Sequence, residues 1–284
     1  MKTTWSFFSA RWLAALVLVV PSFFAQAADT PQTVTFADKR LEAAVRYQVF
    51  AKRTNQEALT VAELATVAFL DAPGRGITNL AGLEHCTALA SATLSGNAIT
   101  DVSPLRGLKV LQQLDLATNQ IRDLTALGTL PALQYLQLEF NQVTDLTPLA
   151  TLTNLTSLYA TGNKIKSIAP MTNCVRLGTL AVGQNQLKSL EGLQTLKRLH
   201  SVSAPENQIK DISPVVGLRD LTWLDLSKNW VRNLGPFYKA ATADLKGRGE
   251  WAPFLRTRLQ ENPLSWKSQH MLEELHKTGL PPEK

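Results

Sequence analysis

The side chains of this 284-residue chain best suited to act on another molecule are strung out at long intervals: Asp115, Tyr135, Gln137, Glu139, Phe140, Tyr159, Trp223, Asp225, Trp230, Arg256 and Arg258. Tyr, Trp and Arg are the types enriched in binding hot spots, so the chemistry they suggest is recognition of a partner. Asp115 and Asp225 would serve glycan cleavage only if their carboxyls lay within about 5–10 Å of each other. The four histidines, His85, His200, His270 and His276, fall in four different settings. His270 and His276 are six apart on one expected helix, the wrong interval for two ligands on one face. The sequence shows no nucleophile with its base and no phosphate loop, which points away from an enzyme and from any cofactor.

What must position these residues is a repeat. Asn97, Asn119, Asn141, Asn163, Asn185, Asn207 and Asn229 stand 22 residues apart, each inside the phrase Leu-x-x-Leu-x-Leu-x-x-Asn-x-Ile. The phrase is clearest at Leu111, Leu114, Leu116, Asn119 and Ile121, and persists with smaller residues at Leu199, Val202, Ala204, Asn207 and Ile209. That is the signature of a leucine-rich repeat. The Leu-x-Leu step has period two, so each coil contributes one short strand to a parallel sheet with its apolar side inward. The fold class expected is therefore an α/β solenoid, a horseshoe with a parallel concave sheet, short helical turns on the convex side and a helical cap at each end. An inward Asn supplies one acceptor and two donors to turn backbone that has no ladder partner, so the asparagine column is structural. Four residues after each Asn comes a short polar residue, as at Asp101, Asp123, Asp145, Ser167, Ser189, Asp211 and Asn233, suited to capping its own turn. Ser103-Pro104, Thr147-Pro148 and Ser213-Pro214 follow, and Ser or Thr before Pro predicts a helix N-cap.

The repeat also decides the chemistry. Asp115 and Asp225 lie five coils apart, or about 24 Å at the strand spacing, too far for an acid and base pair. Cys86 and Cys174 are 88 residues apart, four repeats, so they share a column at a separation of about 19 Å and are buried core residues rather than a disulfide. On the outward side of the strands, Tyr135 and Tyr159 become diagonal neighbours about 7 Å apart. With Asp115, Gln137, Glu139 and Phe140 they make one patch of the concave face. Coils with Thr179, Ala181, Gly183, Ser201, Ser203 and Pro205 then form a shallow trough, and Trp223, Asp225, Lys228, Trp230, Arg256 and Arg258 close the far end. The expected partner is a protein seated on this face; a glycan stacked on Tyr159, Trp223 and Trp230 is the alternative, and a structural envelope component without a specific ligand is the third.

The termini carry their own signals. Lys2 and Arg11 precede an apolar run from Trp12 to Val20, and Ala25-Gln26-Ala27 fits a secretory cleavage site, so residues 1–27 read as a signal peptide. The run is shorter than the roughly 20 residues a bilayer span requires, so no span is expected in the mature chain. Removing Lys2 and Arg11 takes the net charge from +6 to +4, with no basic run and no nucleic-acid motif, so nucleic acid is not an expected partner. Residues 28–76 read as a helical cap, with a helix over Phe36 to Lys52 burying Leu41, Ala44, Val45, Val49 and Phe50. A second helix opens at the capping box Thr60-Val61-Ala62-Glu63 and buries Leu64, Val67, Ala68 and Leu70. Repeats occupy residues 77–264. Asn262 follows Asn229 by 33, which leaves a loop-like insertion near 238–253 before a degraded coil carrying Phe254, Thr257, Leu259, Asn262 and Leu264. Residues 265–284 form a closing helix, with Met271, Leu272 and Leu275 inward, and a tail.

The cap phrase Leu41-Glu42-Ala43-Ala44-Val45-Arg46, the joint Gly74-Arg75-Gly76-Ile77-Thr78-Asn79-Leu80 and the ending Glu261-Asn262-Pro263-Leu264-Ser265 resemble the 22-residue repeat class of bacterial internalins. Internalins grip host proteins with the concave sheet, so the resemblance implies an interaction role. Together with the signal peptide it implies export to periplasm or medium.

Overall fold

The computed structural model describes residues 31–281, so the expected signal peptide lies outside the described residues. Nine three-residue strands join in chain order into one parallel sheet: β3 (Phe69–Asp71), β4 (Ser91–Thr93), β5 (Gln113–Asp115), β6 (Tyr135–Gln137), β7 (Ser157–Tyr159), β8 (Thr179–Ala181), β9 (Ser201–Ser203), β10 (Trp223–Asp225) and β11 (Arg256–Arg258). Partners are 22 residues apart from Phe69↔Ser91 through Ser201↔Trp223, and 33 apart at Trp223↔Arg256. The expected leucine-rich repeat solenoid is the observed fold. The central residue of each strand from Leu70 to Leu224 points into a continuous apolar core, where Leu114, Leu136, Leu158 and Leu180 are fully buried.

Each asparagine links two coils. Asn163 Oδ1 accepts from Val143 N at 2.9 Å, and its Nδ2 donates to Leu138 O, Ala160 O and Thr161 O at 2.8, 3.1 and 3.4 Å. The same set of bonds recurs from Asn97 to Asn229, and Asn262 still bonds Val231 N, Leu226 O and Leu259 O across the longer coil. Six of these asparagines, from Asn119 to Asn229, are buried. One column escaped the sequence reading. The residue before each asparagine has left-handed backbone, with φ of 56° at Thr118, 53° at Phe140, 50° at Gln184, 55° at Glu206 and 54° at Lys228. Gly96 and Gly162 hold the same place at 68° and 71°, where glycine has no steric cost.

The convex turns are short 3-10 pieces, among them Ser103–Leu105 and Thr147–Thr151. Ser103 does not cap its turn. Asp101 accepts from Ser103 N at 2.7 Å and from Ser103 Oγ at 2.7 Å, so the polar column two residues upstream supplies the acceptor and the Ser hydroxyl becomes a donor. Asp123, Asp145 and Asp211 bond Thr125, Thr147 and Ser213 in the same way. Cys86 and Cys174 are free and buried. Burial, with Glu84 adding to it, pushes the Cys86 thiol up to about 12, and burial pushes Cys174 up to about 11.

Before the sheet lie β1 (Thr33–Val34), α1 (Lys39–Gln48), β2 (Leu59–Thr60) and α2 (Val61–Leu64), with β1 and β2 paired antiparallel. Helix α1 buries Leu41, Ala44 and Val45, but Phe50, expected inward, is 83% exposed because the chain leaves the helix at Val49 and tightens into a 3-10 turn. Helix α2 has the expected capping box between Thr60 and Glu63 yet lasts a single turn. Leu70 serves the core from strand β3 instead of from this helix. Asp38 ties α1 to the first coil: its carboxylate accepts from Arg40 N and Leu41 N and from Thr78 N at 2.8 Å. Burial works to raise its pKa, and these hydrogen bonds override it, leaving the carboxyl below its ordinary value.

The insertion after β10 is largely helical. Helix α3 (Gly235–Lys246) packs on α4 (Trp266–Thr278), with Phe237 and Ala241 fully buried and Trp251 set edge-on to Phe237, ring centroids 5.7 Å apart. Asp244 accepts from Trp251 N and Ala252 N and from Arg219, closing the segment against the preceding convex turn. On the last coil Phe254, expected inward, is 63% exposed, and Leu255 takes the core place one residue later. In α4, Leu275 is buried and Leu272 packs on the core, while Met271 is only half-buried.

Candidate functional site

Strand pairing sets two outward columns on the sheet. One runs Gln113, Tyr135, Ser157, Thr179, Ser201, Trp223, Arg256; the other runs Asp115, Gln137, Tyr159, Ala181, Ser203, Asp225, Arg258. Tyr135 and Tyr159 meet across the diagonal with ring centroids 5.4 Å apart and planes tilted by 47°, closer than strand spacing alone predicts because the rings lean together. Glu139 and Asp115 lie within electrostatic reach of this pair. Burial first, then Asp115, raises the Glu139 carboxyl above its ordinary value. Burial, Tyr159, Asp115 and Glu139, in that order, raise the Tyr135 phenol. Next along the backbone, Phe140 is 56% exposed with its ring laid over Gly162, where a Cβ would stand 2.5 Å from the ring. The structure thus brings Asp115, Tyr135, Glu139 and Tyr159 together, with Gln137 beside Tyr159 in the adjoining strand position and Phe140 on the rim.

The trough that follows is floored by Thr179, Ala181, Ser201 and Ser203, all partly accessible. At its edge Pro205 lies so close to Gly183 that a Cβ there would come to 3.0 Å of the proline ring.

The far end differs from the sequence reading in two ways. Asp225 is buried, at 7% exposure; it accepts from Ser227 N and Oγ and stands 3.9 Å from Arg258, so it positions its neighbours and offers little surface. Trp223 and Trp230 are not one patch. Trp223 sits in the strand column under the Arg258 guanidinium, 5.4 Å from the ring centroid. Trp230 lies beyond Asn229, outside the strand, with the Lys210 ammonium 5.5 Å from its ring. Leu-x-Leu periodicity places residues only within the strand, and the left-handed residue before each asparagine turns the chain away from the sheet face, so Trp230 looks elsewhere. Arg256 and Arg258 are exposed and make this end of the face basic, opposite the acidic Asp115 and Glu139 end. Among the described residues no cluster of His, Cys, Asp or Glu is arranged to hold a metal ion, and no helix is long and apolar enough to cross a membrane.

The family described as Leucine Rich repeats (2 copies) matches three overlapping stretches, residues 87–129, 111–151 and 131–173. No curated protein matches the chain. Among solved structures, a leucine-rich repeat protein of Leptospira interrogans is similar at 21% identity over 71% of this chain and 56% of its own, with a TM-score of 0.59. A plant peptide hormone receptor, solved in complex with RGF2, is similar at 24% identity over 64% of this chain and 30% of its own, with a TM-score of 0.54. Both show the fold. Internalin C2 of Listeria monocytogenes is similar at 33% identity over 75% of this chain and 95% of its own, with a TM-score of 0.70. At that identity over nearly the whole of internalin C2, the chain belongs to the internalin-like leucine-rich repeat proteins of bacteria.

Proposed function

We propose that this chain is an exported interaction module that seats a protein partner on its concave face. The observation that carries the reading is the Tyr135–Tyr159 ring pair, accessible on a sheet face where it serves no core. Two aromatic rings held against each other by adjacent strands present amphipathic area at little entropic cost, the physical basis of aromatic hot spots. The face is also polar in the electrostatic sense, with carboxylates at Asp115 and Glu139 and guanidinium groups at Arg256 and Arg258 several coils away. Such a gradient orients a partner of complementary charge. Membership of the internalin class agrees with this use of the sheet, and the signal-peptide reading of residues 1–27 supplies the export.

The test is affinity capture from extracted envelope and host-surface proteins with Tyr159→Ala, Trp223→Ala and, on the convex side, Lys109→Ala. Truncation of a hot-spot aromatic costs about 2 kcal/mol, or roughly thirtyfold in affinity. Both aromatic variants should lose capture and Lys109→Ala should keep it. Equal capture by all three removes the concave face as the site.

A further inference from the structure

The four residues that follow each asparagine change character halfway along the array. After Asn97, Asn119 and Asn141 they are Ala-Ile-Thr-Asp, Gln-Ile-Arg-Asp and Gln-Val-Thr-Asp, one cation and three carboxylates, net −2. After Asn163, Asn185, Asn207 and Asn229 they are Lys-Ile-Lys-Ser, Gln-Leu-Lys-Ser, Gln-Ile-Lys-Asp and Trp-Val-Arg-Asn, five cations and one carboxylate, net +4. Lys166, Lys188, Lys210 and Arg232 therefore form a row at one residue per coil, and all four are exposed. None makes an ion pair among the described residues, and Asp211, the carboxylate in the stretch, is engaged by Ser213 N and Oγ.

The row is rigidly spaced. Lys164 N, Gln186 N, Gln208 N and Trp230 N each donate to the backbone of the preceding coil at 2.8–2.9 Å, so the pitch of the solenoid fixes the distance between charges. Two hollows follow the row: one of about 320 Å³ lined by Lys166, Gln186, Lys188 and Gln208, and one of about 650 Å³ lined by Lys210, Trp230, Arg232, Asn233 and Pro263. Trp230, half exposed, stands in the second with Lys210 beside it.

We infer that this flank binds an acidic polysaccharide carrying one carboxylate on each sugar ring. A coil rise of about 4.8 Å is comparable to the length one pyranose adds to an extended chain, so one cation can meet one carboxylate per coil. The amides of Gln186 and Gln208 offer both donors and acceptors to ring hydroxyls, and Asn233, whose oxygen accepts from Gly235 N, offers its amide donors. The Trp230 face suits the apolar side of a terminal sugar. A single-stranded nucleic acid fits less well, because stacking successive bases needs an aromatic at successive steps and this row holds one in four coils. The flank is separate from the concave face, and its occupancy does not depend on the protein-binding reading.

The probe is a size-defined oligogalacturonate, with its fully methyl-esterified form as the uncharged control and with a single-stranded oligonucleotide and a polyglutamate of equal charge as competitors. The acid form should bind with an affinity that falls as salt rises, and the ester should bind weakly at every salt. Lys188→Glu with Lys210→Glu should weaken binding about tenfold or more, as reversal of two exposed pairings implies. Trp230→Ala should cost several-fold even at high salt, whereas Lys109→Glu with Lys197→Glu, and Tyr159→Ala, should bind as the parent does. Equal binding of the ester, an unaffected Lys188→Glu and Lys210→Glu variant, or competition by the oligonucleotide or polyglutamate as strong as by the uronate would each overturn the assignment. Loss of capture by Tyr159→Ala in the concave-face experiment, with oligouronate binding intact, would distinguish the two sites.

Discussion

Replacing Asn163 with alanine removes four hydrogen bonds but orphans one backbone group. Leu138 O also accepts from Asn141 Nδ2, Ala160 O also accepts from Asn185 Nδ2, and Thr161 O also accepts from Phe140 N. The Val143 N–H, buried and bonded to Asn163 Oδ1, is left with nothing. One unsatisfied buried donor costs about 1–3 kcal/mol, so Asn163→Ala should lose about 2 kcal/mol in urea unfolding followed by circular dichroism. The sharing makes a second prediction inseparable from the first. In Asn163→Ala with Asn185→Ala, Ala160 O loses both donors while the N–H groups of Val143 and Ile165 lose their acceptors. The pair should therefore cost about 1 kcal/mol more than the sum of its singles. Asn119→Ala with Asn185→Ala shares no carbonyl, and its costs should add to within about 0.5 kcal/mol. Equal coupling in the two pairs, or a melt of Asn163→Ala that overlays the parent, would refute the relay.

Thr118 pays for a β-branched side chain at φ 56° in an exposed turn. Thr118→Asn should raise stability by about 0.5–1 kcal/mol, since Asn tolerates this backbone and Thr does not; an unchanged or lower melting temperature would contradict the strain. Glu139 has a carboxyl raised in the folded chain by burial and by Asp115, from the ordinary 4.5. The folded chain then binds more protons than the unfolded one in that window, so stability should fall as pH rises from 4.5 through the raised value. Glu139→Gln should flatten this step, and an unaltered pH profile of the melting temperature would exclude Glu139 as its source.

How much of this was legible depended on whether a residue's place followed from period alone. Leu114, Leu136 and Leu158, the asparagines and the two cysteines occupy the columns that a 22-residue comb assigns, because each coil repeats the same backbone path. The left-handed column was invisible, since Thr118, Gln184, Glu206 and Lys228 share no type, and only Gly96 and Gly162 hinted at it. Trp230, just past that column, escapes the period for the same reason. The column of Asp225 faces outward, yet Asp225 is buried, bonded to Ser227 and with Arg258 at 3.9 Å, a tertiary effect that no spacing encodes. The 33-residue spacing alone reads as a loop, although Pro236 followed by Phe237, Ala241 and Leu245 at intervals of four has the grammar of a helix start and an inner stripe. Phe50 and Phe254 show the converse failure, where hydrophobic identity suggested burial and the local turn put the ring outside.

The asparagine relay reaches one coil and no further, and this makes the array extensible. Each coil brings the amide that serves the coil before it and a carbonyl that the coil after it will share, so a 22-residue duplication anywhere between Asn119 and Asn207 arrives with every backbone group already answered. A fractional insertion does not, unless it bulges outside the relay as the segment before Asn262 does, with Asn262 still reaching Val231 and Leu226. Growth and loss of whole coils are thus the cheap genetic moves for this architecture. The ends resist them, because Asp38 accepts from Thr78 N of the first coil, and Ser268 accepts from Leu234 N and donates to Arg232 O at the last, so both closures take partners from outside the repeat. Descendants of such a gene would differ in the length of the face they present while keeping the same two closures.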